Sequence, residues 1–157
     1  MLSLCDHCLF FPHHRVKDRK APLMAQSVPD TPTIVVIDDH DAFLTLMRDT
    51  FETEGYRVVT GSVAGDALRL VRETQPALVI LDLVMETQEA GFNVLREMRE
   101  TPDTAHIPVL LMTANYQFVR ERAAEIHALD AETMVKPFDV GALLDCVVAL
   151  VRIAEPR

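Results

Sequence analysis

Ala77-Leu78-Val79-Ile80-Leu81-Asp82 is the stretch whose reading decides the fold. Five apolar residues run without a break and stop at a carboxylate. The run is too short for a free-standing helix and suits a strand buried on both faces, as in a parallel sheet. Asp82 then falls where the strand emerges, at its C-terminal end, the edge where open α/β sheets gather their chemistry. A lone Asp there reads more simply as a cap on the following loop. The apolar runs on either side decide between the two.

Upstream, Ile34-Val35-Val36-Ile37 is a β-branched run that reads as a buried strand and ends in Asp38-Asp39-His40-Asp41. A helix is predicted to start in that acidic stretch, since Asp is a good N-cap and favours the positive end of the helix dipole. Phe43, Leu46, Met47 and Phe51 follow at helical spacing, and Gly55 stops the helix. Residues 56–60 read as a second strand. Ser62 is placed to cap a helix in which Val63, Ala67, Leu70 and Val71 share a face. Downstream of Asp82 comes a loop to Gly91, then a helical stripe of Val94, Leu95 and Met98 ending near Glu100. Val109-Leu110-Leu111-Met112 is a fourth strand, ending in Thr113-Ala114-Asn115. Residues 119–127 suit one helix with a weak apolar face. Thr133-Met134-Val135 is a short fifth strand ending in Lys136-Pro137, and Val140, Leu143, Leu144, Val147, Val148 and Val151 mark a strong final helix.

The pattern is (βα)₅. Alternating strands and helices imply a five-stranded parallel sheet, doubly wound, with helices on both faces and right-handed crossovers. The expected fold is α/β and flavodoxin-like, strand order 2-1-3-4-5, in which strand one lies beside strand three at the switch point.

Composition bounds the function. The chain has 157 residues, 49% hydrophobic and 25% charged, which suits one globular domain. Residues 1–32 carry four Lys/Arg against three Asp/Glu, whereas 33–157 carry eleven against twenty-one. An acidic body disfavours direct binding to nucleic acid and to anionic membranes, and suits a basic protein partner or carboxylates gathered for a metal. Three Cys make no disulfide framework, and no apolar run approaches the roughly 18 residues that span a bilayer. A cytoplasmic protein with no membrane contact is the expectation. Residues 1–32 lack periodicity, hold four Pro and a basic cluster from Arg15 to Lys20, and read as a disordered extension. Cys5 and Cys8 have C-x-x-C spacing, but no second knuckle follows to complete a zinc site. Met24 offers an alternative start. The folded domain is expected over 33–153, with 154–157 a short tail.

The strand ends carry the chemistry. Asp38 and Asp39 close the first strand, Asp82 the third, Thr113 the fourth and Lys136 the fifth. Three carboxylates converging at one edge repel one another, and a hard divalent cation such as Mg²⁺ relieves this with oxygen ligands. A carboxylate beside such a cation can attack phosphorus and form an acyl phosphate. An ammonium and a hydroxyl suit the remaining phosphoryl oxygens. Lys136 is the only Lys after residue 20.

Ile37-Asp38-Asp39, Leu81-Asp82-Leu83, Met112-Thr113-Ala114 and Lys136-Pro137-Phe138, in that order and each at a strand end, resemble the receiver domain of two-component response regulators. The resemblance covers about residues 33–153. It implies that Asp82 accepts a phosphoryl group from a histidine kinase or phosphotransfer protein. It implies that Asp38, Asp39, Asp82 and the backbone carbonyl of Val84 hold Mg²⁺. Thr113 and Lys136 would contact the phosphoryl group and shift a partner-binding face built from helix four, strand five and helix five.

Two places depart from the family pattern. The aromatic usual three positions before the Lys is Thr133 here. In the loop after strand three, Glu86 stands in the usual Pro place, and Gly91 comes about one residue late. Glu86 and Glu89 would add negative charge near the metal site, either strengthening cation binding or discouraging a phosphodonor; a neutral loop variant is the simpler alternative. Three functions follow. The first is a stand-alone phosphorylatable receiver signalling through protein contacts. The second is a receiver-like module that works without phosphorylation. The third is a haloacid-dehalogenase-like phosphohydrolase, which normally carries Asp-x-Asp after its first strand with a large cap; here that strand gives Asp38-Asp39-His40-Asp41 with no room for a cap.

Overall fold

The computed structural model describes residues 31–154. The expectations for residues 1–30, including the Cys5/Cys8 pair and Met24, lie outside them, as do residues 155–157. Five strands alternate with helices: β1 (Thr33–Ile37), α1 (Asp41–Thr53), β2 (Arg57–Gly61), α2 (Ala64–Thr74), β3 (Leu78–Asp82), α3 (Ala90–Glu100), β4 (Val109–Thr113), α4 (Tyr116–Glu121), α5 (Ala123–Ala128), β5 (Ala131–Val135) and α6 (Val140–Ala154). All pairings are parallel and the order is β2-β1-β3-β4-β5, as expected.

The solid apolar runs are explained by burial on two faces. Successive side chains of a strand point to opposite sides. Val35, Ile37, Val79, Leu81, Val109 and Leu111 join one core with Val71, Leu95, Val119 and Ile126 of α2, α3, α4 and α5. Ile34, Val36, Leu78, Ile80, Leu110 and Met112 join the other with Met47 and Phe51 of α1 and Leu143 and Val147 of α6. Every residue of β1, β3 and β4 is buried, whereas the edge strands β2 and β5 are only partly so.

Three local expectations are corrected. The first helix is capped by His40, not by an Asp, and no side chain caps it; Asp38 instead accepts from the His40 N–H at 2.9 Å. The N-cap of α2 is Val63, not Ser62, and its first turn is served from afar: Glu86 Oε1 accepts from the Ala64 N–H at 2.9 Å. The stretch 119–127 is not one helix. It belongs to two six-residue helices that meet at Arg122, where the backbone leaves helical geometry (φ −107°, ψ 15°). Its weak apolar face explains this, because only Val119 and Ile126 reach the core and little packing energy holds a longer helix straight.

Arg99, near the end of α3, closes the opposite end of the sheet. Its guanidinium donates to the carbonyls of Leu129 (2.6 Å), Ala105 (3.2 Å), Ile107 (2.9 Å) and Asp130 (3.0 Å). One side chain thus joins α3, the loop before β4 and the turn before β5. Burial pushes its pKa down, though a guanidinium stays charged throughout the working pH range.

A carboxylate and lysine cluster at the sheet edge

Asp38 follows directly on β1, Asp82 is the last residue of β3, Thr113 the last of β4, and Lys136 follows directly on β5. The parallel register carries all four to the C-terminal edge. The β1–β3 pairing, with Ile37 opposite Leu81, brings Asp38 and Asp82 together at the switch point. Lys136 is steered there by β4, because its N–H donates to the Thr113 carbonyl at 2.8 Å.

Asp38 is the most enclosed member, its side chain 1% exposed. A buried carboxylate needs partners, and it has three: Lys136 Nζ at 2.8 Å, the His40 N–H at 2.9 Å and His40 Nδ1 at 3.0 Å. Lys136 Nζ also lies 3.5 Å from Asp82 Oδ2 and 4.1 Å from the centre of the Phe43 ring. Phe138 packs edge-on against Phe43, so an aromatic wall backs the ammonium. Asp82 accepts from the Val84 N–H at 3.4 Å. Burial pushes the Asp82 carboxyl above the ordinary carboxylate value; Lys136 opposes this, and the charge of Asp38 adds to it.

His40 was not among the expected site residues. Its Nδ1 lies 2.7 Å from Asp39 and 3.0 Å from Asp38. The hydrogen bond to Asp38, with the charge of Asp39, raises the pKa of this exposed imidazole. The only hint in the sequence is that a His follows two Asp. Asp38, Asp39, His40 and Asp82 offer donor atoms that all lie within 4.8 Å of one another. Three carboxylates in so small a space, with one cation among them, form an oxygen-rich set that fits a hard divalent ion.

Thr113 closes β4 at the same edge. Its side chain is fully buried, and its hydroxyl is engaged with α4, accepting from the Asn115 N–H at 2.9 Å. Asn115 in turn caps α4 by accepting from the Phe118 N–H at 3.1 Å.

The two loop carboxylates expected to charge this site face elsewhere. Glu86 serves the first turn of α2, and Glu89 pairs with Arg122 at 2.6 Å. The position of Gly91 has a steric origin. A Cβ there would stand 1.9 Å from the Asp82 carbonyl oxygen, and its N–H donates to the Leu83 carbonyl at 3.1 Å. The start of α3 therefore lies directly on the strand end that presents Asp82.

The response regulator receiver domain family matches residues 34–148. The chain is similar to the phosphate regulon transcriptional regulatory protein PhoB of Rhizobium meliloti, 31% identical over 126 residues, which cover 80% of this chain and 55% of PhoB. It spans about half the length of the curated relatives it matches. Among solved structures it is similar to chemotaxis protein CheY4 of Vibrio cholerae, with a TM-score of 0.68 and 23% identity over 76% of this chain and 98% of that one. It is also similar to the receiver domain of a sensor histidine kinase from Pseudomonas aeruginosa, solved with a magnesium ion coordinated in its active site cleft. That match has a TM-score of 0.68 and 20% identity over 78% of this chain and 98% of that one. At these identities the structural likeness is one of fold.

Proposed function

The chain belongs to the response regulator receiver family, and on that premise we propose that Asp82 accepts a phosphoryl group from a histidine kinase or phosphotransfer protein. The observation that carries this is Asp82 at the end of β3, with Lys136 Nζ 3.5 Å away and Asp38, Asp39 and His40 within reach of a shared ion. Asp38, Asp39, Asp82 and the backbone carbonyl of Val84 are the residues that would hold Mg²⁺. When bound, that ion supplies charge neutralisation at the phosphoryl oxygens. The Asp82 carboxylate supplies the electron pair. Its oxygen forms a bond to phosphorus as the bond from phosphorus to the donor's imidazole nitrogen breaks, and the imidazole leaves with that pair. Lys136 is held for the phosphoryl oxygens by Asp38 and by its backbone bond to Thr113. Thr113 offers its O–H as a donor, since its oxygen only accepts from the Asn115 N–H.

The downstream contact is proposed on the face of α4, α5, β5 and α6, where Tyr116 and Val140 are exposed. Among the described residues no helix is long and apolar enough to cross a membrane. The deciding experiment is incubation of the purified chain with Mg²⁺ and acetyl phosphate, read by intact mass. One added phosphoryl group, lost in Asp82→Asn, is the expected result. No uptake favours an interaction module that works without phosphorylation. Catalytic turnover of phosphate esters favours a phosphohydrolase.

A further inference from the structure

We infer that Arg122 is a positioning residue: through Glu89 it ties the loop that carries Val84 to the junction of α4 and α5, so that filling the Asp82 site and placing α4–α5 are coupled. The inference rests on the proposed function, because it concerns what the filled site does to the rest of the fold.

Arg122 sits at the break between the two short helices. Its Nη2 donates to Glu89 Oε1 at 2.6 Å and its Nη1 to Glu125 Oε2 at 3.2 Å. The guanidinium lies 5.3 Å from the centre of the Phe92 ring and 5.1 Å from that of Phe118, and those two rings meet edge to face. Its side chain is 32% exposed and that of Glu89 45%, so the pair stays half open to water. Arg and Glu on a bare surface would be worth little. Here aromatic surface fixes the fork, and less entropy is lost in forming the pair.

The partner's position gives the pair its consequence. Glu89 is the N-cap of α3 and lies in the short loop that follows Asp82 and carries Val84. That loop is held at two points by its own carboxylates, by Glu86 to the Ala64 N–H and by Glu89 to Arg122. The helix α4 is likewise held at two points. Its start is bound through Asn115 to the Thr113 hydroxyl, and its end through Arg122 to Glu89. Both holds lead back to the ends of β3 and β4. A six-residue helix has little stability of its own, so these attachments set where it lies. A bound ion and phosphoryl group that fix the Val84 loop thereby bear on the rear of α4 as well as its front.

The test uses the full chain and measures Mg²⁺-beryllofluoride binding by amide titration. Arg122→Gln and Glu89→Gln are each expected to weaken binding about two- to fivefold, the range of a partly exposed ion pair. The double variant is expected to lose no more than either single one. Arg122→Lys, which keeps the charge but not the stacked fork, should restore only part of the loss. Arg69→Gln is the control: Arg69 pairs with Asp66 and Glu73 on α2 and shares neither with Arg122, so its removal should leave binding unchanged. Wild-type affinity in both Gln variants, or losses that add, would overturn the coupling. A wild-type chain that binds no beryllofluoride would instead sink the phosphoacceptor reading. The tie is then read in the free protein: Arg122→Gln should shift the amides of residues 84–91 and Arg69→Gln should not, and equal shifts in both would overturn it.

Discussion

The ammonium of Lys136 donates to Oδ2 of Asp38 at 2.8 Å. It thus neutralises part of the cluster that a divalent cation would otherwise neutralise alone. Two cations sharing one set of carboxylates repel each other, by a few kcal/mol at an effective dielectric of about 20 before screening. Lys136→Met is therefore expected to tighten Mg²⁺ binding on the order of tenfold and to lower thermal stability without Mg²⁺, since Asp38 loses a partner. A Mg²⁺ titration followed by melting temperature reads both effects. Weaker Mg²⁺ binding in the variant would mean that Lys136 chiefly holds the carboxylates in place.

Gly91 is expected to tolerate no side chain. A Cβ would stand 1.9 Å from the Asp82 carbonyl oxygen and 2.8 Å from Leu83 Cα, and backbone cannot retreat as a side chain can. Gly91→Ala should cost about 3 kcal/mol or more, measured by urea unfolding, and should disturb the Asp82 strand end. A cost under about 1 kcal/mol would show that the loop can slide to accommodate it.

Arg99→Met keeps the apolar stem and removes every donor. The carbonyls of Ala105, Ile107, Leu129 and Asp130 lose their shared partner. Some of them gain water in compensation, so the expected loss is about 2–4 kcal/mol in denaturant unfolding. Asp82 lies at the opposite sheet edge, so acetyl phosphate labelling of the variant should persist below its melting transition.

The strands and the meeting of the candidate side chains at their ends were legible because both are written in one dimension. Two-sided burial leaves an unbroken apolar run, and a strand's end is simply the residue at which the run stops. Asp38, Asp39, Asp82 and Lys136 could be placed together from order alone. What escaped depends on side-chain direction and on long-range partners. Nothing local says that Glu86 serves the Ala64 N–H, that Glu89 meets Arg122, or that His40 folds back between two carboxylates. The break at Arg122 escaped because a helix with little apolar face has no strong period to interrupt. Arg99 looked like any polar residue near a helix end, since its partners are backbone carbonyls and carry no sequence signature.

Glu132 gives a pH signature of opposite sign to ordinary acid denaturation. It lies in β5 opposite Leu110, and burial, with the charge of Asp130 added, raises its carboxyl above the ordinary value. The folded chain therefore binds this proton more tightly than the unfolded chain. The stabilisation is fully present below the unfolded pKa and is lost as pH rises through the raised folded value. Glu132→Gln removes the charge at every pH. Its melting temperature relative to wild type should climb as pH rises from about 4 to 8, and a difference that stays constant would show that Glu132 carries no such linkage.

Phosphorylation is expected to switch this chain through Thr113 and the β4–α4 loop, with little help from β5. A modification moves a two-state element only as far as its differential free energy allows, and a near-complete switch needs about 5.5 kcal/mol. In the family pattern part of that comes from an aromatic ring three positions before the Lys, and here that residue is Thr133. It is buried, pairs in register with Leu111 and so faces the core shared with α4 and α5. A small β-branched side chain there has no ring to repack. What remains is the Thr113 hydroxyl, now accepting from the Asn115 N–H at 2.9 Å. The hydroxyl is expected to turn toward a phosphoryl group on Asp82 as donor and so to loosen that bond. Asn115, which also caps α4, then carries the disturbance into the helix. Adding beryllofluoride and Mg²⁺ should therefore give a partial shift, with amide changes concentrated in residues 113–120 and weak at 133–135. Thr113→Ala should abolish the changes at 115–120 while Asp82 still binds the analogue. Changes at Thr133 and Met134 as large as those at Ala114 would show that β5 takes part after all.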